Sequence, residues 1–503
     1  MKRRDFLQTL GLGTAYFTLS PHSDFKKNSS VRKNRPNLVY IFADQLRTQS
    51  LGYTGDPKAV TPHIDQLAKQ GVNFSNAVSN FPVCAAHRAS LFTGKYPSTT
   101  GMVINELRMN PHHRCFGHVL TDNEYETGYI GKWHLWANQA GHHREAKNSY
   151  IPPEKHEYRL GFNGFWAAYN FNHHYYEGFY FTDKPQRIQI RGYEPEAQTD
   201  MAVRFINRHT HKPFALFLSY GPPHPPFTKD NVPESYYNLF KNVKFPLPET
   251  WSDVPDKYMD RNTNTKEWLN YWKPNLPEFQ RIYYALTSNL DWNIGRILKA
   301  LDKAGLSENT IVVFSSDHGE MFGAHGRIQK LIFYEEAARV PFLIRWPGKI
   351  PAGLKSNACL GTPDIMPTLL GLMGLPIPED VEGMDLSPLA KGQKGVEPDA
   401  ALLQGMGHTY LWKDGHEWRA VRNKRYTYAV YRRDGSELLF DNKKDPLQTT
   451  NLIDYPQYKS IQKNLRRNKE KKMSDLNDNF EKCSWYRDHW TDGNRNILQG
   501  AKG

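Results

Sequence analysis

Six apolar residues in a row, Leu38 to Ala43, follow Asn37 and read Leu-Val-Tyr-Ile-Phe-Ala. The run has the length and composition of a strand but not the alternation of one with a wet face. It therefore predicts a strand buried on both sides, as in a parallel sheet covered by helices. Runs of the same kind recur at Phe214–Tyr220, Thr310–Ser316 and Val340–Arg345. Helical patterns lie between them. One opens at Thr61–Pro62, a cap followed by a first-turn proline, with Ile64, Leu67 and Ala68 on one face. Others cover Glu196–Asn207 and Phe279–Leu301. Strands alternating with helices predict an α/β fold with a mostly parallel sheet. Residues 141–190 and 222–275 are weakly periodic and rich in Pro, Asn, His and aromatics, which predicts long loops over the sheet edge. The pattern changes near residue 400. Short strands at 417–421, 425–431 and Ser436–Asp441, the last after an Asp434–Gly435 turn, precede a long polar helix. They predict a small C-terminal antiparallel sheet plus helix.

The first residues read as an export signal, taken as residues 1–30. Lys2, Arg3 and Arg4 precede Asp5–Phe6–Leu7 and a short apolar run from Leu10 to Leu19. That run is too short to span a bilayer, and no later segment is long and apolar enough to do so. Paired arginines before Phe–Leu resemble a twin-arginine signal, which implies a periplasmic or secreted protein. The net charge of +13 favours an anionic partner: nucleic acid, an anionic membrane or a sulfated or carboxylated polymer. Nucleic acid is not expected, because none of its usual binding motifs occurs. Aromatics make up 13% of the chain, many in polar company, as in His173–His174–Tyr175–Tyr176. They are either ordinary core and surface residues or platforms for sugar rings. Four cysteines, Cys84, Cys115, Cys359 and Cys483, do not make a disulfide framework.

Chemistry-bearing residues stand just after the strands. Asp44–Gln45 follows the first, His224 the second and Asp317–His318 the third. In open parallel sheets ligands bind beyond the carboxyl ends of the strands, so these residues are expected to converge. Mostly oxygen donors with one imidazole suit Ca²⁺, Mg²⁺ or Mn²⁺. The most specific signal is residues 84–101, Cys-Ala-Ala-His-Arg-Ala-Ser-Leu-Phe-Thr-Gly-Lys-Tyr-Pro-Ser-Thr-Thr-Gly. This segment resembles the signature of the formylglycine-dependent sulfatases, Cys-x-(Pro/Ser/Ala)-x-Arg followed by Leu-x-Thr-Gly-(Lys/Arg)-x-Pro. Cys84, Ala86 and Arg88 match the first part, and Leu91, Thr93, Gly94, Lys95 and Pro97 the second. Gly131–Lys132–Trp133–His134, Ser316–Asp317–His318–Gly319–Glu320 and Lys330 also resemble family motifs, so the resemblance runs through most of residues 37–450.

The resemblance implies a large mixed, mostly parallel sheet flanked by helices, of the alkaline-phosphatase and sulfatase type. It places the catalytic domain at 35–395 and a C-terminal subdomain at 396–503. It implies sulfate-ester hydrolysis, with Cys84 oxidised to Cα-formylglycine by a separate maturation enzyme. One hydroxyl of the hydrated aldehyde attacks sulfur; the other lets sulfate depart, a step a plain serine lacks. By the same resemblance Asp44, Gln45, Asp317 and His318, with residue 84, hold the metal, Ca²⁺ first and Mn²⁺ or Mg²⁺ as alternatives. Arg88 steadies the diol, and Lys132 and Lys330 bind sulfate oxygens. His224, assisted by Lys330, protonates the leaving oxygen, while His134 orients the diol or takes its proton. Lys95 is read as structural. Gln45 and His318 stand where many members carry Asp and Asn, which lowers the ligand charge by one and adds a nitrogen. That combination resembles choline-sulfatase-like and phosphonate-monoester-hydrolase-like branches, so phosphonate or phosphate ester hydrolysis is the alternative activity. Export and the many aromatics point to a sulfated glycan, an algal polysaccharide such as ulvan or a glycosaminoglycan.

Overall fold

The computed structural model describes residues 35–136, 146–208, 212–259, 266–407, 411–493 and 496–503, so the export signal read in residues 1–30 lies outside it. Residues Pro36–Gly503 form one compact unit. Its centre is an eight-stranded sheet. The strands are β1 Asn37–Asp44, β2 Val72–Phe74, β3 Glu126–Lys132, β4 Phe165–Tyr169, β5 Phe214–Pro223, β6 Thr310–Ser316, β7 Phe342–Arg345 and β8 Leu354–Ser356. Their spatial order is β8-β2-β7-β6-β1-β5-β3-β4. Only β7 runs against its neighbours β6 and β2; every other pairing is parallel.

The apolar run of β1 has the cause read from the sequence. Leu38, Tyr40 and Phe42 join a core that holds α2, Cys84–Thr93, and α5, Ile365–Met373. Val39, Ile41 and Ala43 join the opposite core, with α1, Pro62–Gln70, α3, Glu194–Arg208, and α4, Lys266–Lys303. With period two, neither face is left for polar residues.

A second sheet, β9 Ala401–Gly405, β10 Trp418–Arg422, β11 Tyr426–Tyr431 and β12 Glu437–Asp441, is an antiparallel meander. Leu403, Trp418 and Phe440 on one face pack against Phe333 and Tyr334 of the main fold. Leu402, Val421 and Leu439 on the other pack against Leu465 of α6, Lys459–Asp475. Arg422 clamps Glu335 across this junction, Nε to Oε1 at 2.6 Å and Nη2 to Oε2 at 3.0 Å. The α/β class, the mostly parallel mixed sheet and the small C-terminal sheet with its helix agree with expectation. The two expected loops are only partly loops. β4 lies within 141–190, and α4 begins at Lys266, with Pro274 and Pro277 inside the helix and the helical pattern legible only beyond them. Among the described residues no helix is long and apolar enough to cross a membrane.

Candidate active site

Four neighbouring strands, β6, β1, β5 and β3, deliver the site at their carboxyl ends. Asp44 closes β1, Lys132 closes β3, His224 follows β5, and Asp317 and His318 follow β6. Ala43 pairs with Ser316, which sets Asp44 beside Asp317. The Gln45 main-chain N–H donates to Asp317 Oδ1 at 2.9 Å. Gln45 (φ 67°) and His134 (φ 57°) sit in the left-handed region, backbone strain of the kind that gathers at functional sites. Gly131 precedes Lys132 because a Cβ there would fall on the Ser219 carbonyl.

Helix α2 explains the Cys-x-x-x-Arg spacing. Cys84 is its first residue, and Arg88, one turn on, shares its face. Gly94 ends the helix at φ 66°, where a Cβ would approach Val381 to 2.8 Å. Arg88 is fully buried. Its Nη1 donates to the Lys132 carbonyl at 2.6 Å and Ser219 Oγ at 2.7 Å, and its Nη2 reaches Asp317 Oδ2 at 3.3 Å and Asp44 Oδ2 at 3.5 Å.

Cys84 Sγ lies 3.2 Å from His318 Nε2, 3.5 Å from Asp44 Oδ1 and 3.1 Å from Lys330 Nζ. Ligand atoms of Asp44, Cys84, Asp317 and His318 all lie within 4.8 Å of one another, and all four residues are buried. His318 Nδ1 is 3.0 Å from the Gly319 carbonyl, so it carries the proton and Nε2 turns a lone pair into the cluster. Gln45 adds an amide oxygen. Glu320 accepts from Gln45 Nε2, which turns Oε1 toward Lys330 Nζ, 2.9 Å away. Glu320 is itself held by the main-chain N–H groups of Phe322 (3.0 Å) and Gln329 (2.6 Å). Oxygen-rich donors with one imidazole, converging in a buried pocket, fit a divalent cation such as Ca²⁺, Mg²⁺ or Mn²⁺.

The cluster is ringed by positive charge. Lys132 Nζ pairs with Asp44 Oδ2 and lies 3.4 Å from His173 Nε2. The imidazoles of His173 and His224 stack at 3.7 Å with 12° between planes. His224 Nδ1 donates to the Pro225 carbonyl at 2.7 Å, leaving Nε2 free. Burial opposes the charge on Asp44, yet Lys132, His224, Lys330 and Arg88 hold its carboxyl well below the usual range. Burial, then Asp44, pushes the Cys84 thiol up to about 11. Burial, then Lys330, holds His224 well below the ordinary imidazole value, and burial with neighbouring charges does the same to His134 and His173.

The residues singled out by the sequence, Asp44, Gln45, Cys84, Arg88, Lys132, His134, His224, Asp317, His318 and Lys330, thus gather in one cluster at the strand ends. Lys95 points elsewhere, to Asp380 at 2.5 Å. The sequence gives no role to two further residues of the cluster, Glu320, which closes the Ser316–Glu320 motif, and His173. His173 comes from a loop and is tied down through its carbonyl by Asn231 Nδ2 at 2.9 Å, a contact no periodicity encodes.

A mostly parallel sheet with a cysteine, two carboxylates, an imidazole and a cationic rim at its strand ends fits a hydrolase of anionic esters. Residues 36–375 match the sulfatase family, and residues 323–475 match the C-terminal region of N-sulphoglucosamine sulphohydrolase. The chain belongs to the sulfatase family and is a sulfuric ester hydrolase. An ulvan-active sulfatase of Formosa agariphila is 39% identical, over 90% of this chain and 84% of its own. An endo-4-O-sulfatase of Bacteroides thetaiotaomicron is 31% identical, over 85% and 89%. Among solved structures, the sulfatase yidJ of Bacteroides fragilis superposes with a TM-score of 0.74 at 31% identity, over 90% of this chain and 98% of its own. A phosphonate monoester hydrolase of Agrobacterium radiobacter shares the fold, with a TM-score of 0.67 at 23% identity, over 88% and 95%.

Proposed function

We propose that this sulfatase removes sulfate from a sulfated polysaccharide or its oligosaccharides, of the ulvan or glycosaminoglycan type. What carries the reading is the buried cluster in which Cys84 meets Asp44, Asp317, His318 and Lys330, with Lys132 paired to Asp44. The activities named for the two relatives above favour a sugar sulfate. On this reading residues 1–30 direct export to the periplasm by the twin-arginine route, 35–395 form the catalytic domain and 396–503 the C-terminal subdomain.

Asp44, Gln45, residue 84, Asp317 and His318 would hold the cation, Ca²⁺ first. That ion and the formylglycine hydrate made from Cys84 by a maturation enzyme would supply Lewis-acid charge and a hydroxyl nucleophile. The remaining chemistry belongs to the chain. Lys132 and Lys330 neutralise the sulfate oxygens with charge-assisted hydrogen bonds. Arg88 fixes the Asp44 and Asp317 carboxylates and would steady the hydrate, and His134 would orient it or take its proton. His224 presents Nε2 to the leaving oxygen. It must be protonated to act as an acid, and an anionic ester beside Lys330 supplies the charge that favours protonation.

His224→Ala is expected to slow sugar sulfates by about 10²–10⁴-fold while activated 4-nitrophenyl sulfate loses far less. Equal losses would remove the residue as the acid. Glu320→Ala frees the Gln45 amide to rotate, and Ca²⁺ affinity measured by calorimetry is expected to fall about 10–100-fold. The functional reading itself is tested by sulfate release from a panel of sulfated oligosaccharides by protein co-expressed with a formylglycine-generating enzyme. Phosphonate cleavage without sulfate release would overturn it.

A further inference from the structure

A second cavity, of about 770 Å³, lies back to back with the metal cluster. Its volume falls in the range of about 300–1,000 Å³ typical of ligand pockets. None of the active-site residues lines it. The two sites share a wall: the Arg47 N–H donates to the Tyr283 hydroxyl at 2.8 Å, and that hydroxyl donates to the Gln45 carbonyl at 2.7 Å.

The lining is unbalanced in charge. Arg47, Arg339 and Lys355 all contribute to it. Arg339 spends its Nε on the Ser75 carbonyl at 3.0 Å, and Arg47 lies over the Phe322 ring at 5.6 Å. Among the described residues none of the three has an ion pair. Of the acids present, Asp56 is taken by Lys58 at 3.0 Å, Glu249 is exposed, and Glu336 is only 4% exposed. Burial raises the Glu336 carboxyl to about 7, so it is only partly ionised at neutral pH. Among the described residues, Arg47 Nε, Gln49 Oε1 and Glu336 Oε2, all buried in the wall of the cavity, have no hydrogen-bond partner. Water could satisfy the hydrogen bonds, but not the net excess of positive charge, four cations (Arg47, Lys58, Arg339, Lys355) against three acids. A ligand that brings an anion answers the excess of positive charge.

We propose that this cavity is a second, non-catalytic site for an anionic sugar, a sulfate- or carboxylate-bearing unit of the polymer that the active site cleaves. The polymer's identity rests on the function proposed above. The probe is ulvan, with neutral dextran as control. In native gels, Cys84→Ala protein is expected to be retarded by ulvan and not by dextran. Adding Arg339→Gln and Lys355→Glu should weaken that retardation about fivefold or more, as loss of a charge contact does. In active enzyme the same pair should raise the half-saturating ulvan concentration by about the same factor and leave kcat/KM on 4-nitrophenyl sulfate within about twofold. Lys355→Glu alone, at an exposed residue, reports the effect if the double variant does not fold. Unchanged retardation, or equal losses on ulvan and 4-nitrophenyl sulfate, would overturn the site. Absence of sulfate release from every ester would instead remove the proposed function, while retardation would still report on the cavity.

Discussion

Cys84→Ala loses sulfate release by about 10⁴–10⁶-fold, the scale on which removal of a nucleophile acts, while melting temperature stays close to wild type. The two outcomes separate because the side chain is small and its contacts are those of the site: Asp44, His318 and Lys330. With the thiol held near 11 by burial and by Asp44, unmodified cysteine is mostly the protonated, poorly nucleophilic form at neutral pH. Activity should therefore track the fraction of Cys84 converted to formylglycine, measured by mass spectrometry of the peptide that contains it. Cys84→Ser tests the release step separately. A serine hydroxyl can accept the sulfuryl group but has no second hydroxyl to expel it, so at most one turnover is expected. Full activity in fully unconverted protein would sink the assignment.

Those parts of the fold were legible whose sequence signal and physical cause coincide. β1, β5 and β6 are buried on both faces, so they show as unbroken apolar runs, and the residues just past them could be placed at the strand ends. β3 was hidden because Gly128 and Gly131 interrupt it; the second is there because the Ser219 carbonyl passes too close for any Cβ. Lys132, at its end, was therefore found through its motif and not through a strand. β2 and β8 have three residues each, too few for any pattern. Cys84 and Arg88 were legible through their motif, and the structure gives its spacing a cause, since a helix sets residues four apart on one face. His173 was not. Its place against His224 and Lys132 depends on a loop held by Asn231, a contact distant in sequence. The orientation of the Gln45 amide was hidden for the same reason, since Glu320 reaches it across 275 positions.

Arg88→Met lowers stability by about 3–5 kcal/mol in the metal-free protein, the scale for removing one partner of a buried ion pair. Methionine fills much of the volume, so the loss is mainly electrostatic. Asp44 keeps Lys132, but the cation nearest Asp317 is gone and two carboxylates at the same strand ends face each other with less compensation. The sign of the pH dependence follows from Asp44. Its carboxyl is held low in the folded state, so the stability it contributes is complete above its unfolded value of about 4 and fades as pH falls toward the folded one. Arg88 contributes to that depression, so the gap between wild type and variant should be widest at neutral pH and narrow in acid. A divalent cation offers the same carboxylates a substitute charge. Saturating Ca²⁺ is thus expected to recover part of the loss in thermal denaturation, and a chelator to deepen it. A gap independent of both pH and Ca²⁺ would mean that Arg88 acts through packing over Phe42, 4.8 Å from its guanidinium carbon, and not by holding the acidic cluster together.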